Sequence, residues 1–212
     1  MALTITPYPA YAHSPIPGIE GFYTGLVHPF STPAQALLML GLGLLVGSFP
    51  PLRARWPLGV FLVSMIVGML VSSLIGESNL AMFATTFAAC ALAALAPGHL
   101  LPLAIAFTAI GGIWMGSISL ADPGPLRDRT ITTLGAFIGA NLGLLFIFGI
   151  SDFVRNRYTW PSVPTAFRIV AAWVGAISLL MLALLFAPER TFVYFVAKVL
   201  FPRWSQLVDA TL

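Results

Sequence analysis

Residues 78 to 121 contain no Lys, Arg, Asp or Glu. No other feature of the chain constrains its fold as much. A charge-free run of that length cannot cover a water-facing surface. It is also too long for one membrane crossing, which takes about 20 apolar residues as a helix. The run must therefore turn back once, and "APGHLLP" at 96–102 supplies the Pro and Gly of a break. That leaves two spans, at 79–96 and at about 100–120.

The rest of the chain reads the same way. Charged residues make up 8% of it, against about 25% in soluble domains. Hydrophobic residues make up 58%, and the mean hydropathy is +0.95. Further apolar windows lie at 34–51, 57–76, 130–150 and 167–187. We therefore expect an all-α integral membrane protein with six transmembrane helices, multi-pass in a bacterial inner membrane. The net charge of +3 does not point to nucleic acid. The ten Lys and Arg fall in connections between apolar runs, where a bilayer forces them, and form no basic stripe with interleaved aromatics.

"IPGIEGFYTGLVHPF", residues 16–30, is half a span long and ends at His28-Pro29. Proline ends or kinks a helix. A helix that stops inside the bilayer is tolerated only where protein or a cavity satisfies its backbone. A half-helix, a break near 29–33 and then the first full span are expected. The organisation is then an N-terminal extension at 1–15, a transmembrane domain at 16–188 and a tail at 189–212. The extension has no basic n-region or continuous apolar core and does not read as a secretory signal. In the tail, "RTFVYFVAKVLFPRW" is too short to cross and suits an interfacial helix.

Arg53, Arg55, Arg155, Arg157 and Arg168 fall in connections separated by an even number of spans, so they share one side. Placing that side in the cytoplasm puts both termini outside. Five further basic residues sit on the other side, so the preference is weak. Gly135, Gly139 and Gly143 recur every four residues in the fifth span, and Gly112 and Gly116 do so in the fourth. Gly43 and Gly47 repeat the spacing in the first. Small residues at this spacing let helix backbones approach, so the fifth span is expected at the centre of the bundle. Asn141 shares that span and needs a hydrogen-bond partner there. Cys90, the one cysteine, lies in an apolar run and reads as a buried inert thiol.

Gly21, Phe22, Gly25, His28 and Pro29 form G-F-x-x-G-x-x-H-P, which resembles the start of the HupE/UreJ family. Met39 and Gly43 continue that motif at the right spacing. The resemblance implies a nickel permease of six spans with a short preceding helix. The family's G-x-D-H falls on Thr32, Pro33, Ala34 and Gln35, so the carboxylate and second imidazole are replaced. Its late fourth-span H-G-x-x-H-G-x-E falls on "WMGSISLAD", with Met115 and Ser119 at the histidines and Asp122 at the acid. A fifth-span histidine falls at Leu145.

His28, Thr32, Gln35, Met39, Met115, Ser119 and Asn141 are therefore the expected pocket. His28 is the candidate metal ligand, with Glu20 two turns away on the same helix face. Ordinary roles stand beside these: a helix-end histidine bonded to a carbonyl, packed methionines, and solvated acids at Glu77 and Asp122. His13 and His99 complete the histidines, and His99 sits across the third span from His28. Nickel(II) favours imidazole nitrogen and carboxylate oxygen together, and one imidazole is a thin site. Three functions remain open. One is a permease for nickel or a related transition metal with an altered site. Another is a non-transporting scaffold or subunit, as a homo-oligomer or in a larger membrane complex. The third is a soft-metal handler using Met39 and Met115 toward Cu(I). No set of paired acids or Ser/His/Asp groups points to an enzyme.

Overall fold

A computed structural model describes residues 20–75, 79–120 and 125–186. The expected N-terminal extension, the interfacial tail, His13, Glu77 and Asp122 lie outside the described residues, as does the side chain of Glu20. Among the described residues the chain is all-helical. The helices are α1 (Glu20–Ser31), α2 (Pro33–Val46), α3 (Pro51–Leu70), α4 (Asn79–Leu95), α5 (Leu101–Ile118), α6 (Leu126–Arg157) and α7 (Ser162–Phe186), with a 3-10 turn at Ser72–Leu74.

Prolines set several of the starts. Pro33, Pro51 and Pro102 fall in the first turns of α2, α3 and α5, where a missing N–H costs nothing and the fixed φ suits a helix. The break falls within the expected 29–33, and Pro29 itself lies inside α1. The break comes at Thr32, just before Pro33, because the residue before a proline is pushed out of the helical region. Thr32 is extended, at φ −102° and ψ 130°. The two helices it joins are bent by 73°. The break after α4 closes through Gly98, whose φ of 73° is left-handed. Its amide donates to Ser48 Oγ at 3.0 Å, tying the α4–α5 turn to the end of α2.

α3, α5, α6 and α7 are each long and apolar enough to cross a membrane, and the bent α1–α2 pair makes a fifth crossing if taken as one. α4, with 17 residues, falls just short of that length. Large apolar side chains such as Phe146, Trp173 and Phe186 are exposed on the outer faces. A bilayer supplies what would cover them. The chain is a multi-pass membrane protein.

The packing centre is α2 and not the fifth span. Ten of the 14 residues of α2 are buried, against seven of 32 in α6, and α2 touches every other helix. The remaining helices pair around it as α1 with α6, α3 with α5 and α4 with α7. Glycines set the closeness of the first two pairs. A Cβ on Gly139 would overlap the Leu26 carbonyl oxygen, and one on Gly135 the Phe22 carbonyl oxygen. A Cβ on Gly116 would overlap the Met65 carbonyl oxygen in the same way. At Gly116, Gly135 and Gly139 the spacing thus marks backbone contact with one neighbour, which an outer helix makes as well as a central one.

The register of these contacts orders the ends of the bundle. Gly43 and Gly47 meet Ile147 and Ser151, so α2 and α6 run parallel. Arg168 Nε donates to the Ala94 carbonyl at 2.6 Å, fixing the start of α7 at the end of α4. Arg53, Arg55, Arg155, Arg157 and Arg168 therefore gather at one end, and His28, Ser119 and Asp128 lie at the other. Single cysteines placed at Arg53 and Asn156 should react with an impermeant thiol reagent from the same side of the membrane, and one at Arg127 from the opposite side. Cys90 is buried and gives no background. Labelling of positions 53 and 156 from different sides would refute this register.

Candidate functional site

The α1–α2 break places polar atoms among apolar helices. Gln35 lies in the first turn of α2, where each helix leaves four N–H groups without an intrahelical partner. It is 1% exposed, and its Oε1 has no hydrogen-bond partner. Thr32 Oγ1, three residues earlier, is buried and also unpaired, and it does not cap α2. A buried polar atom left unsatisfied costs roughly 1–3 kcal/mol. Two of them three residues apart mark the break as a place where a donor or cation would be welcome. α1 ends at the same break, and helix C-termini carry partial negative charge.

His28 lies one turn before the break and is half-buried. It lines an open cleft of about 530 Å³, whose polar wall is Thr24, Ser119, Asp128, Arg129 and Thr132. Ser119 is 3% exposed, and its Oγ donates to the Met115 carbonyl at 2.6 Å. The His28 carbonyl accepts from Ser31 Oγ at 2.8 Å. Asp128, Arg129 and Thr132 were not expected here. Their place follows from α6 starting at Leu126, four residues before the charge-free window. Helical hydrogen bonding does not stop at a charge, and the basic and acidic residues before residue 130 were the signal available.

The expected pocket residues divide into groups. His28 and Ser119 share the cleft, while Thr32 and Gln35 sit at the break. Met39 and Met115 are fully buried in the apolar core. Gly111 packs against Leu42 and Leu38, and α5 runs antiparallel to α2, so Met115 reaches the level of Gln35 one turn further on. Asn141 does not face the cleft. Its Nδ2 donates to the Phe137 carbonyl at 2.8 Å and lies 3.6 Å from Met65 Sδ. Leu145, at the position of a family histidine, is 51% exposed on the outer face. His99 is exposed at the arginine-rich end.

Among the described residues no three His, Cys, Asp or Glu side chains come together as a metal site. The polar set is one imidazole, one carboxylate, one guanidinium, hydroxyls and an amide oxygen. It can bind and exchange a small polar solute or a weakly held cation; among the described residues it has no paired acids or activated nucleophile. Past Gln35 the buried face of α2 is apolar, with Leu38, Leu42 and Leu45 fully buried.

No curated protein and no solved structure matches the chain. A family model described as HupE / UreJ protein matches residues 1–115, more than half of the chain. That match spans the α1–α2 break, His28 and all of α3 and α4, while Ser119, Asp128, Arg129 and Thr132 of the cleft lie beyond it. The chain belongs to the HupE/UreJ family.

Proposed function

We propose that the protein is a permease for nickel or a related transition-metal ion, in which the α1–α2 break forms the transit site. The family is one of membrane proteins linked to metal accessory roles, not an enzyme family. The observation that carries the reading is the pair of unpaired buried oxygens, Thr32 Oγ1 and Gln35 Oε1, at a helix broken inside the bundle. Transporters place substrate sites at such breaks, where helix ends and freed oxygens replace part of a solute's hydration. Conduction needs a site that binds weakly enough to release. Neutral oxygens with one imidazole give a weaker site than the family's acid and second imidazole.

His28 stands at the mouth as the one nitrogen ligand, with Asp128 across the cleft. Nickel, cobalt and copper(I) binding to the purified protein, followed by calorimetry, tests this. Saturable binding in the range of roughly 10 μM to 1 mM, about −7 to −4 kcal/mol, is expected for nickel or cobalt and should be lost in His28→Ala. A copper(I)-selective result would favour the soft-metal role of Met39 and Met115. Absence of heat with every ion, together with a large drop in thermal stability for His28→Ala, would make the histidine structural. The absence of a three-ligand cluster among the described residues supports that second reading, a non-transporting scaffold.

The arginine-rich end is placed in the cytoplasm by the positive-inside rule. This orientation and an inner-membrane location belong to the same proposal.

A further inference from the structure

We infer that the outer face of α3 is a binding groove for one anionic phospholipid, with the headgroup phosphate at Arg55 and one acyl chain lying along the helix. The groove measures about 820 Å³ and is lined by Arg55, Trp56, Gly59, Val63 and Val67 of α3, with Ile113 of α5. These α3 positions recur at three- and four-residue spacing, which puts them on one face. Gly59 is what opens it. A Cβ there would meet nothing within 4 Å, so no neighbouring helix requires the glycine, and its absent side chain leaves room for something outside the chain.

Charge and length both select the occupant. Arg55 is exposed at the end of the groove, with its guanidinium 5.3 Å from the Trp56 ring centroid. That stacking holds the side chain by one face and leaves its N–H edge free for a phosphate. Trp is favoured at the headgroup level. From Arg55 to Val67 the helix rises about 18 Å, close to one leaflet of a hydrocarbon core about 30 Å thick. Arg53 and the three arginines of α6 and α7 add positive charge at the same end, where an anionic leaflet would lie.

A second groove supplies an internal control. It measures about 750 Å³ and runs along α6 past Leu142, Phe146, Gly149 and Phe153. It carries no charged group, so it would take tails without regard to headgroup. Gly149, like Gly59, has open space around it.

Native mass spectrometry of the protein released from phosphatidylglycerol–phosphatidylcholine nanodiscs tests the assignment. The parent should retain one phosphatidylglycerol in preference to phosphatidylcholine. Arg55→Gln should reduce that preference about fivefold, the effect of one arginine near the surface. Gly59→Leu should fill the groove and lose the retained lipid, whereas Gly149→Leu should leave it in place. Equal retention of both lipids by the parent would overturn the proposal. So would a preference that survives Arg55→Gln and Gly59→Leu, or one that falls equally in Gly149→Leu.

Discussion

Gly139→Leu is expected to abolish recovery of folded protein in detergent, or to lower its melting temperature sharply. A Cβ at this position overlaps the Leu26 carbonyl oxygen. The obstacle is backbone, so no rotamer change relieves it. α1 must move away from α6, and α1 has little else to hold it, since its main partner is α6. Over-packing costs about 1–3 kcal/mol or more. In a protein of this size each kcal/mol shifts melting by about 2–4 °C, and total stability is only about 5–15 kcal/mol. Gly149→Leu, ten residues along the same helix, meets open space and should melt like the parent. Parent-like melting of Gly139→Leu would mean that α1 does not lie on this face.

Gln35→Met should act in opposite directions on stability and function. The substitution keeps the length of the side chain and removes the buried oxygen that has no partner. Removing such an atom relieves roughly 1–3 kcal/mol, so the variant should melt at or above the parent temperature. It should also lose metal binding and transport, because it deletes an oxygen of the proposed transit site. Few substitutions separate the two readings so cleanly. A scaffold gains from the change, and a permease fails.

The helical windows were legible because charge marks where a bilayer ends, and Pro33, Pro51 and Gly98 punctuate the chain where the structure breaks it. α6 extends beyond its apolar window at both ends. Its charge-free window covers 130–150, but the helix runs from Leu126 to Arg157. Hydropathy reports lipid contact, whereas helix hydrogen bonding continues through Asp128 and Arg129 at one end and Arg155 at the other. Arg155 remains within the bundle by lying 4.9 Å over the Phe167 ring. The centre of the bundle was not legible either. Gly135 and Gly139 announce a close neighbour, and the sequence does not say that the neighbour is the short α1. What makes α2 central is that ten of its 14 residues are buried, and its short run of apolar residues resembles any other span.

The site was legible in one dimension only. His28 and the break before α2 follow from Pro29, Pro33 and the polar residues between them. Ser119, Asp128 and Thr132 join His28 through helix packing across about a hundred residues of sequence, and no local pattern encodes that meeting. Asn141, two residues from Gly139 and so on the opposite face of α6 from the glycines, bonds its own helix and lies against Met65. An amide in a dry bundle takes the nearest carbonyl, four residues back.

The central claim is that the α1–α2 break passes a metal ion. Its most direct measurement is nickel and cobalt uptake into proteoliposomes holding the parent, Gln35→Met and His28→Ala, each checked for folding by its melting curve. Saturable uptake by the parent, lost in a Gln35→Met protein that melts no lower than the parent, is the predicted result. A parent that moves neither ion, or a Gln35→Met variant that transports as the parent does, would contradict the account.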